Sequence, residues 1–239
     1  MNVGQVRDWV HAAKHIAVLT GAGMSAESGV PTFRDAQTGL WAKFDPQQLA
    51  TEDAFRADPA MVWDWYAHRR EMIAKVEPNA GHRALAAFQR RHPPRLTLIT
   101  QNVDGLHQRA GSQGVLALHG NIGEDKWLDA PRPCCTAQAP VAGRPPACGI
   151  CGNMRRPAVV WFGEMLPVDV LQAAEEAARR SDLTLVVGTS GVVHPAAGLA
   201  RLTRGHMVVI NPDETALDDA AHAVLRGTAA TLLPQLLED

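Results

Sequence analysis

The sequence predicts an α/β fold: a doubly wound parallel sheet with a smaller second lobe. Five short runs rich in Val, Leu and Ile are almost continuously apolar, as parallel strands buried on both faces are. Helical patterns such as 81–92 and 167–182 lie between these runs, and this alternation is typical of a doubly wound sheet. Residues 36–80 and 121–157 break the alternation, which indicates a lobe built from insertions.

The predicted strands, in chain order, are residues 15–20, 95–100, 114–120, 183–190 and 206–213. We expect the 239 residues to form a single domain with two lobes. The large lobe comprises about residues 1–35, 92–120 and 158–239, and the small lobe about residues 36–91 and 121–157. A ligand is expected in the cleft between the lobes.

Composition and charge favour some partners and disfavour others. Hydrophobic residues make up 46% of the chain and charged residues 20%, as in soluble globular proteins. The formal net charge of −2 gives no overall attraction to nucleic acid or to an anionic membrane, so neither is an expected partner. No apolar run is long enough for an export signal or a membrane span, and the expected location is the cytoplasm.

The glycine-rich loop after the first predicted strand, GAGMSAESG at 21–29, is a candidate dinucleotide site. Gly21, Gly23 and Ala26 give the spacing G-x-G-x-x-A, in which glycines allow a tight turn and the close approach of a pyrophosphate. A plain strand-to-helix turn would give the same pattern. The acidic residue that usually ends a second strand about 20 positions later is missing, so a standard dehydrogenase is not predicted.

Polar residues follow the other predicted strands at their carboxyl ends, where α/β sheets place ligand-binding groups. They are the segment TQNVDGLH at 100–107, His119 in LHG, GTS at 188–190 and NPD at 211–213. Each one alone has an ordinary explanation as a turn or a structural histidine. Their repetition at one edge of the sheet predicts a functional site.

Six segments, in order, resemble the motifs of a known family: GAGMSAESGVPTFR, TQNVDGLH, HG, VVWFGE, GTS and NPD. Over roughly residues 15–229 the chain resembles the sirtuins, which are NAD-dependent protein-lysine deacylases. The resemblance implies a Rossmann-like NAD-binding lobe, a small zinc-bearing lobe, a monomer, and acyl-lysine proteins or peptides as partners. The implied reaction removes acetyl and other acyl groups from lysine and releases nicotinamide and O-acyl-ADP-ribose.

The sequence is compatible with two alternatives to this function. Mono-ADP-ribosylation of protein would use the same NAD and an overlapping site. A zinc-ribbon module that binds nucleic acid is disfavoured by the near-neutral charge and by an incomplete set of cysteines.

The resemblance also assigns residues to NAD, position by position. The glycine loop would line the pyrophosphate, the residues after the second strand would surround the nicotinamide and its ribose, and those after the last two strands would hold the adenosine. The ring of Phe33, in a mobile cofactor loop, would shield the reactive ribose from water. The implied NAD-binding residues are Gly21, Ala22, Gly23, Ala26, Phe33, Arg34, Gln101, Asn102, Asp104, Gly188, Thr189, Ser190, Asn211, Asp213 and Ala229.

His119, Asn102 and Asp104 are the candidate catalytic residues. In sirtuins the acyl carbonyl oxygen attacks the ribose as nicotinamide leaves, and a ribose hydroxyl is then deprotonated. A neutral imidazole near pH 7 suits that deprotonation, so His119 is the expected general base. The substrate peptide is expected to pair with the backbone of 159–164 and 191–193. This assigns substrate contacts to Val160, Phe162, Gly163 and Val192.

The four cysteines lie in one short stretch, which favours a metal over disulfides. Cys148 and Cys151 have the C-x-x-C spacing of half a structural zinc site. Cys134 and Cys135 are adjacent, and Trp127 stands where the family normally has a cysteine. We expect an adjacent pair to chelate one ion poorly. Zinc held by all four, zinc held by three with another ligand, and a site without metal all stay open.

Tyr66 is the only tyrosine, and Arg69 follows it by three residues, so both lie on one face of a predicted helix at 62–72. The plain interpretation is an amphipathic helix. A Tyr-x-x-Arg here resembles the sirtuin class that removes succinyl, malonyl and related acidic groups. A guanidinium grips a carboxylate through two hydrogen bonds and a phenol can donate a third. Ala50 would leave room for the longer acyl chain.

Overall fold

The computed structural model describes residues 2–31, 45–137 and 140–238. These residues fall into two compact units. The described part of the first unit is residues 2–31, 76–119 and 166–238, and that of the second is residues 45–75, 120–137 and 140–165.

Strands and helices alternate along much of the chain, as the apolar pattern predicts. The strands of the described residues are β1 (Ile16–Thr20), β2 (Leu96–Thr100), β3 (Leu116–Ala117), β4 (Gly120–Trp127), β5 (Arg155–Val159), β6 (Leu183–Val187), β7 (His206–Ile210) and β8 (Ala223–Leu225). The helices are α1 (Val3–Ala12), α2 (Gly23–Ala26), α3 (Pro46–Leu49), α4 (Glu52–Ala57), α5 (Pro59–Ala74), α6 (Ala80–Arg91), α7 (Leu106–Arg109), α8 (Pro133–Ala137), α9 (Val168–Arg180), α10 (Ala196–Leu199) and α11 (Ala229–Leu237). Within the parts of the chain that the structure describes, every helix is too short or too polar to cross a membrane.

The first unit is built on a parallel sheet of six described strands in the order β3-β2-β1-β6-β7-β8. The chain runs outward from β1 to β3, then returns to β6 beside β1 and runs outward on the other side. This confirms the predicted doubly wound fold. The order reverses between β1 and β6, and ligands of such sheets bind at the carboxyl ends of the strands at that reversal.

The strands are buried on both faces because their two sets of alternate residues enter two different cores. In β1, Ile16 and Val18 join a core made with α1, α6 and α11, whereas Ala17 and Leu19 join a core made with α9 and α10. This explains why the strands read as continuous apolar runs. The predicted strand at 114–120 is much shorter in the structure, and β8 was not predicted because three residues carry too little pattern.

The two units divide the chain differently from the predicted lobes at two places. Residues 76–91 lie in the first unit, because Leu85 and Phe88 of α6 are buried in its core against α11. Asn79 caps this helix and accepts backbone hydrogen bonds from its first turn. Residues 158–165 lie in the second unit, because β5 pairs with β4 and the Phe162 N–H donates to the Ala50 carbonyl at 2.9 Å.

The second unit contains α3, α4, α5 and α8 together with a two-stranded antiparallel sheet of β4 and β5. Asp58 caps α5 through a hydrogen bond from the Met61 N–H, and Pro59 occupies the first turn, where its missing N–H costs nothing. The buried residues of α5 recur at helical spacing: Val62, Trp65, Tyr66, Arg69 and Ile73. The helix therefore has one buried face, and that face includes a phenol and a guanidinium as well as apolar side chains.

Candidate active site

The glycine loop meets the end of β6 at backbone distance. The Gly21 N–H donates to the Val187 carbonyl at 3.0 Å, and the Gly23 N–H donates to the Gly188 carbonyl at 2.8 Å. A Cβ on Gly21 would lie 2.7 Å from the Thr189 Cβ, and one on Gly23 would lie 2.8 Å from the Gly188 Cα. Larger residues would separate the two strand ends, so the structure itself requires glycine at both positions.

Ser25 of α2 brings two of the candidate catalytic residues together. Its hydroxyl donates to Asp104 Oδ2 at 2.7 Å and accepts from the Asn102 amide at 3.2 Å. His82 Nε2 lies 3.4 Å from the Ser25 hydroxyl oxygen, and the backbone N–H of Asn79 approaches the other ring nitrogen of His82, Nδ1, at 3.3 Å. Because Nδ1 accepts, the proton of the neutral ring is on Nε2 and can be donated to Ser25.

Sequence reasoning missed Ser25 and His82. Ser25 lies inside the quoted glycine loop, so a buried hydroxyl there could have been considered. His82 carries no such signal, because it lies 57 residues away along the chain and is placed only by the packing of α6.

Burial keeps the histidines of this site uncharged. It lowers the pKa of His82 to about 4 and that of neighbouring His107 to about 3. Burial also raises the pKa of Asp104, while hydrogen bonds from the Leu106 N–H and from Ser25 oppose that rise. Near pH 7 the two imidazoles are therefore neutral.

The loop after β2 is fixed by a buried hydroxyl pair. Thr20 donates to Thr100 at 2.8 Å, and His107 Nε2 lies 3.0 Å from the Thr20 hydroxyl. The Asn102 N–H donates to the Thr100 hydroxyl at 3.0 Å. These bonds hold the backbone that carries Gln101, Asn102 and Asp104 at the carboxyl end of the strand.

Gln101 connects two further predicted residues. Its side-chain amide donates to the Thr189 hydroxyl at 3.2 Å, and its backbone carbonyl oxygen lies 2.9 Å from His119 Nδ1. A carbonyl only accepts, so Nδ1 carries the proton and Nε2 keeps a lone pair. Burial lowers the pKa of His119, and the bond to Gln101 opposes this only in part. The half-buried ring is thus a neutral base with its accepting nitrogen defined.

The other residues predicted to contact NAD lie farther along the same sheet edge. The Asn211 side chain donates to the Asp213 carbonyl at 2.9 Å after β7, and the Ser190 carbonyl accepts from Ala216. Ala229 begins α11 and is buried against Gly81. Among the described residues, no hydrogen bond joins Asn211 or the Asp213 side chain to the glycine loop. Phe33 and Arg34 lie outside the described residues.

Tyr66 and Arg69 are both buried in the second unit, with 3% and 5% of their surface exposed. The Tyr66 hydroxyl accepts a hydrogen bond from the indole N–H of Trp161 at 2.9 Å. Burial raises the pKa of Tyr66 to about 12, so the phenol keeps its proton. The Arg69 guanidinium lies 5.2 Å from the ring centre of Trp65, within the range of a cation–π contact.

The segment after β5 carries the residues predicted to bind the peptide. Val160 is half-buried, Phe162 and Gly163 are exposed, and in the first unit Val192 is exposed after Gly191. The backbone N–H groups of Trp161 and Phe162 already have partners, in the Glu164 carboxylate and the Ala50 carbonyl. Backbone pairing with a peptide would therefore have to use other groups of the segment.

The four cysteines form one cluster, with all Sγ atoms within 4.8 Å of one another. This differs from the expectation that the adjacent pair chelates poorly. Cys134 and Cys135 lie in the short helix α8, where successive side chains are about 100° apart rather than on opposite faces as in a strand. Backbone N–H groups of Cys151 and Ile150 lower the pKa of Cys148 to about 7, which favours a thiolate. Four clustered sulfurs suit tetrahedral Zn²⁺.

Comparison with known proteins places this chain in one family. A model described as the Sir2 family matches residues 21–195. An NAD-dependent protein deacylase of Ralstonia nicotianae is 56% identical over 236 residues, which cover 98% of this chain and 95% of the relative. The crystal structure of a Sir2 homologue–NAD complex has a TM-score of 0.87 at 43% identity, covering 98% of this chain and 92% of that one. A Sir2–p53 peptide–NAD+ structure has a TM-score of 0.84 at 30% identity, covering 99% and 97%. The chain therefore belongs to the Sir2 family.

Proposed function

We propose that this chain is an NAD-dependent protein deacylase that removes acyl groups from lysine side chains. The observation that carries the proposal is the neutral His119, whose proton is held on Nδ1 by the Gln101 carbonyl. It follows β3 at the carboxyl edge of the sheet that also bears the 101–104 and 188–190 segments. Membership of the Sir2 family and the deacylase name of the Ralstonia relative support the same reaction.

NAD is the co-substrate, which accepts the acyl group on its ribose as nicotinamide is released. The glycine loop, with Ala22 and Ala26, holds the pyrophosphate, while Gln101, Asn102 and Asp104 face the nicotinamide half. The adenosine half is held by the residues after β6 and β7 and by Ala229. The crystal structure of a Sir2 homologue with NAD supports this assignment by similarity of fold.

His119 acts as the general base that takes a proton from a ribose hydroxyl through Nε2. Its role requires a neutral ring, which partial burial provides. The network of Ser25 and His82 orients Asn102 and Asp104, so that the polar groups of the site are arranged before a ligand arrives.

Acidic acyl groups are the preferred substrates in this proposal, and acetyl-lysine is processed as well. Arg69 pairs with the carboxylate of a succinyl or malonyl group, and the Tyr66 hydroxyl donates to it. Both groups are more than nine-tenths buried, so their hydrogen bonds to a carboxylate are shielded from water. Ala50 is small and buried in the same unit.

The four cysteines hold a structural zinc ion in this proposal. The cluster belongs to the second unit and joins α8 to the 148–151 turn. Metal analysis of the purified protein should give about one zinc per chain. Cys148→Ser should lower both the zinc content and the melting temperature. A full complement of zinc in that variant would show that the ion lies elsewhere.

A panel of acyl-lysine peptides assayed with and without NAD tests the reaction. We expect NAD-dependent loss of the acyl group, followed by mass spectrometry, and no turnover in a folded His119→Ala variant. Near wild-type turnover in that variant would remove His119 as the base. A gain of ADP-ribose on the peptide, without acyl loss, would indicate ADP-ribosylation instead.

The acyl preference is tested by Arg69→Met. We expect the KM for a succinyl-lysine peptide to rise by about tenfold or more, since a buried carboxylate would lose a charged partner, while the KM for acetyl-lysine changes little. Arg70→Met is the matched control: Arg70 is next in the helix but pairs with Asp125. Equal effects of Arg69→Met on both substrates would refute the acidic preference.

A further inference from the structure

Trp161 is buried within the second unit, where its side chain contacts Arg156, Phe55 and Tyr66. Only 1% of its surface is exposed. The Arg156 guanidinium lies 3.2 Å from the centre of its ring, and the Phe55 ring lies 5.2 Å away in a tilted arrangement. Its backbone N–H donates to the Glu164 carboxylate at 2.8 Å. The indole therefore has little freedom to rotate.

The hydrogen bond between Trp161 and Tyr66 determines which partner gives a proton. An indole N–H can only donate, whereas a phenol can both donate and accept. The Tyr66 oxygen must therefore accept from Trp161, as the 2.9 Å distance indicates. The single proton of Tyr66 is then left for another acceptor.

We propose that Trp161 is a specificity-determining positioning residue, which holds Tyr66 as a hydrogen-bond donor for the carboxylate of an acidic acyl group. The inference rests on the proposed preference for acidic acyl groups and names a residue that controls it from outside the Tyr-x-x-Arg pair. Trp161 does not touch the substrate in this scheme. It acts by removing alternative orientations of the phenol, including those in which Tyr66 would donate back into the protein.

The position of the indole is itself fixed by a partly buried ion pair between Arg156 and Glu164. Arg156 is almost fully buried and forms two hydrogen bonds to Glu164, and its guanidinium also donates to the Val159 carbonyl at 2.8 Å. Glu164 in turn binds the Trp161 backbone. The segment that is predicted to contact the peptide thus also determines the state of the phenol in α5.

The cleanest perturbation replaces Trp161 with 3-benzothienylalanine, in which sulfur takes the place of the indole N–H and the ring volume is kept. A net hydrogen bond contributes about 0.5–1.5 kcal/mol, so the KM for succinyl-lysine should rise about two- to thirteenfold. The KM for acetyl-lysine and both kcat values should stay within about twofold of wild type. Trp161→Phe provides a genetically simple second variant, and circular dichroism checks that each protein is folded.

A double-mutant cycle with Tyr66→Phe separates positioning from general loss of packing. If Trp161 acts through the phenol, removal of the indole N–H should have no further effect on succinyl-lysine once the hydroxyl is gone. Trp127→Phe is the matched control, since Trp127 is a tryptophan of the same unit that stacks on Arg155. We expect it to leave the ratio of the two KM values unchanged.

The possible outcomes distinguish this inference from the function on which it rests. If Tyr66→Phe and Arg69→Met are selective for succinyl-lysine but the Trp161 replacement is silent, the positioning role is wrong and the acidic preference stands. Equal losses on both acyl groups, or additive effects in the cycle, would also overturn the positioning role. If Tyr66→Phe and Arg69→Met show no selectivity, both proposals fall.

Discussion

The ionisation of Tyr66 can be measured by itself, because the chain contains no other tyrosine. Burial raises the pKa of this phenol from an ordinary value near 10 to about 12 in the folded protein. The unfolded chain therefore releases the proton first as the pH rises. The stabilisation is fully present below pH 10 and is lost as the pH rises towards 12.

The size of the effect follows from the two pKa values. A difference of about two pKa units corresponds to about 3 kcal/mol of unfolding free energy, of which about 1.4 kcal/mol should be lost by about pH 11. Other groups also titrate in this range, but they are shared with the Tyr66→Phe variant. The difference in unfolding free energy between wild type and Tyr66→Phe should therefore shrink by about 1.4 kcal/mol between pH 8 and pH 11.

Two measurements test this prediction. Urea denaturation of both proteins at several pH values gives the free energies, and the near-ultraviolet absorbance of tyrosinate follows the native phenol directly. A native titration centred near pH 10 would refute the reasoning, because it would mean that burial does not outweigh the hydrogen bond from Trp161, which by itself lowers the pKa of the phenol.

Three further predictions concern the first unit. Because burial lowers the pKa of His119, the acid limb of kcat/KM should lie below pH 6.5, and a midpoint above that value would contradict its environment. His82 and His107 are neutral in the folded protein but become charged on unfolding, so the free energy of unfolding should fall below pH 6.5, by about 2 kcal/mol for each histidine at pH 5. In urea titrations His107→Gln should show a smaller fall than the wild type, and an equal fall would contradict the prediction. Gly23→Ala places a Cβ 2.8 Å from the backbone after β6, and calorimetry should show that it weakens NAD binding at least about tenfold. Gly198→Ala, whose Cβ meets open space, should leave the affinity for NAD unchanged, and equal affinities of the two variants would refute the requirement for close approach.

The sequence predicts those parts of the molecule that depend on local pattern. The apolar runs locate five strands of the large sheet, and polar residues at their ends locate Gln101, Asn102, Asp104 and His119. The positions of these residues can be predicted because a parallel sheet brings all strand ends to one edge, so that a position along the chain implies a position in space, while their roles stay predictions.

The contacts that sequence reasoning missed join residues far apart along the chain. His82 reaches Ser25 across 57 residues and Trp161 reaches Tyr66 across 95. No periodicity reports such a pair, because each depends on how separate elements pack. The expectation of poor chelation by the adjacent cysteines differs from the structure for another reason. Adjacent side chains diverge in a strand, but the chain around Cys134 and Cys135 is helical.

The two proposed tasks of the protein belong to different units, and this makes them separable by kinetics. The candidate base and the NAD-binding network lie in the first unit, so a change such as His119→Ala should reduce turnover of every acyl group alike. Tyr66, Arg69 and Trp161 lie in the second unit, and in the proposed function Tyr66 and Arg69 hydrogen-bond only an acyl group that carries a carboxylate. Loss of one of these bonds weakens substrate binding, without touching the proton transfer. Acyl preference can therefore change through α5 and the segment after β5, while the reaction stays the same.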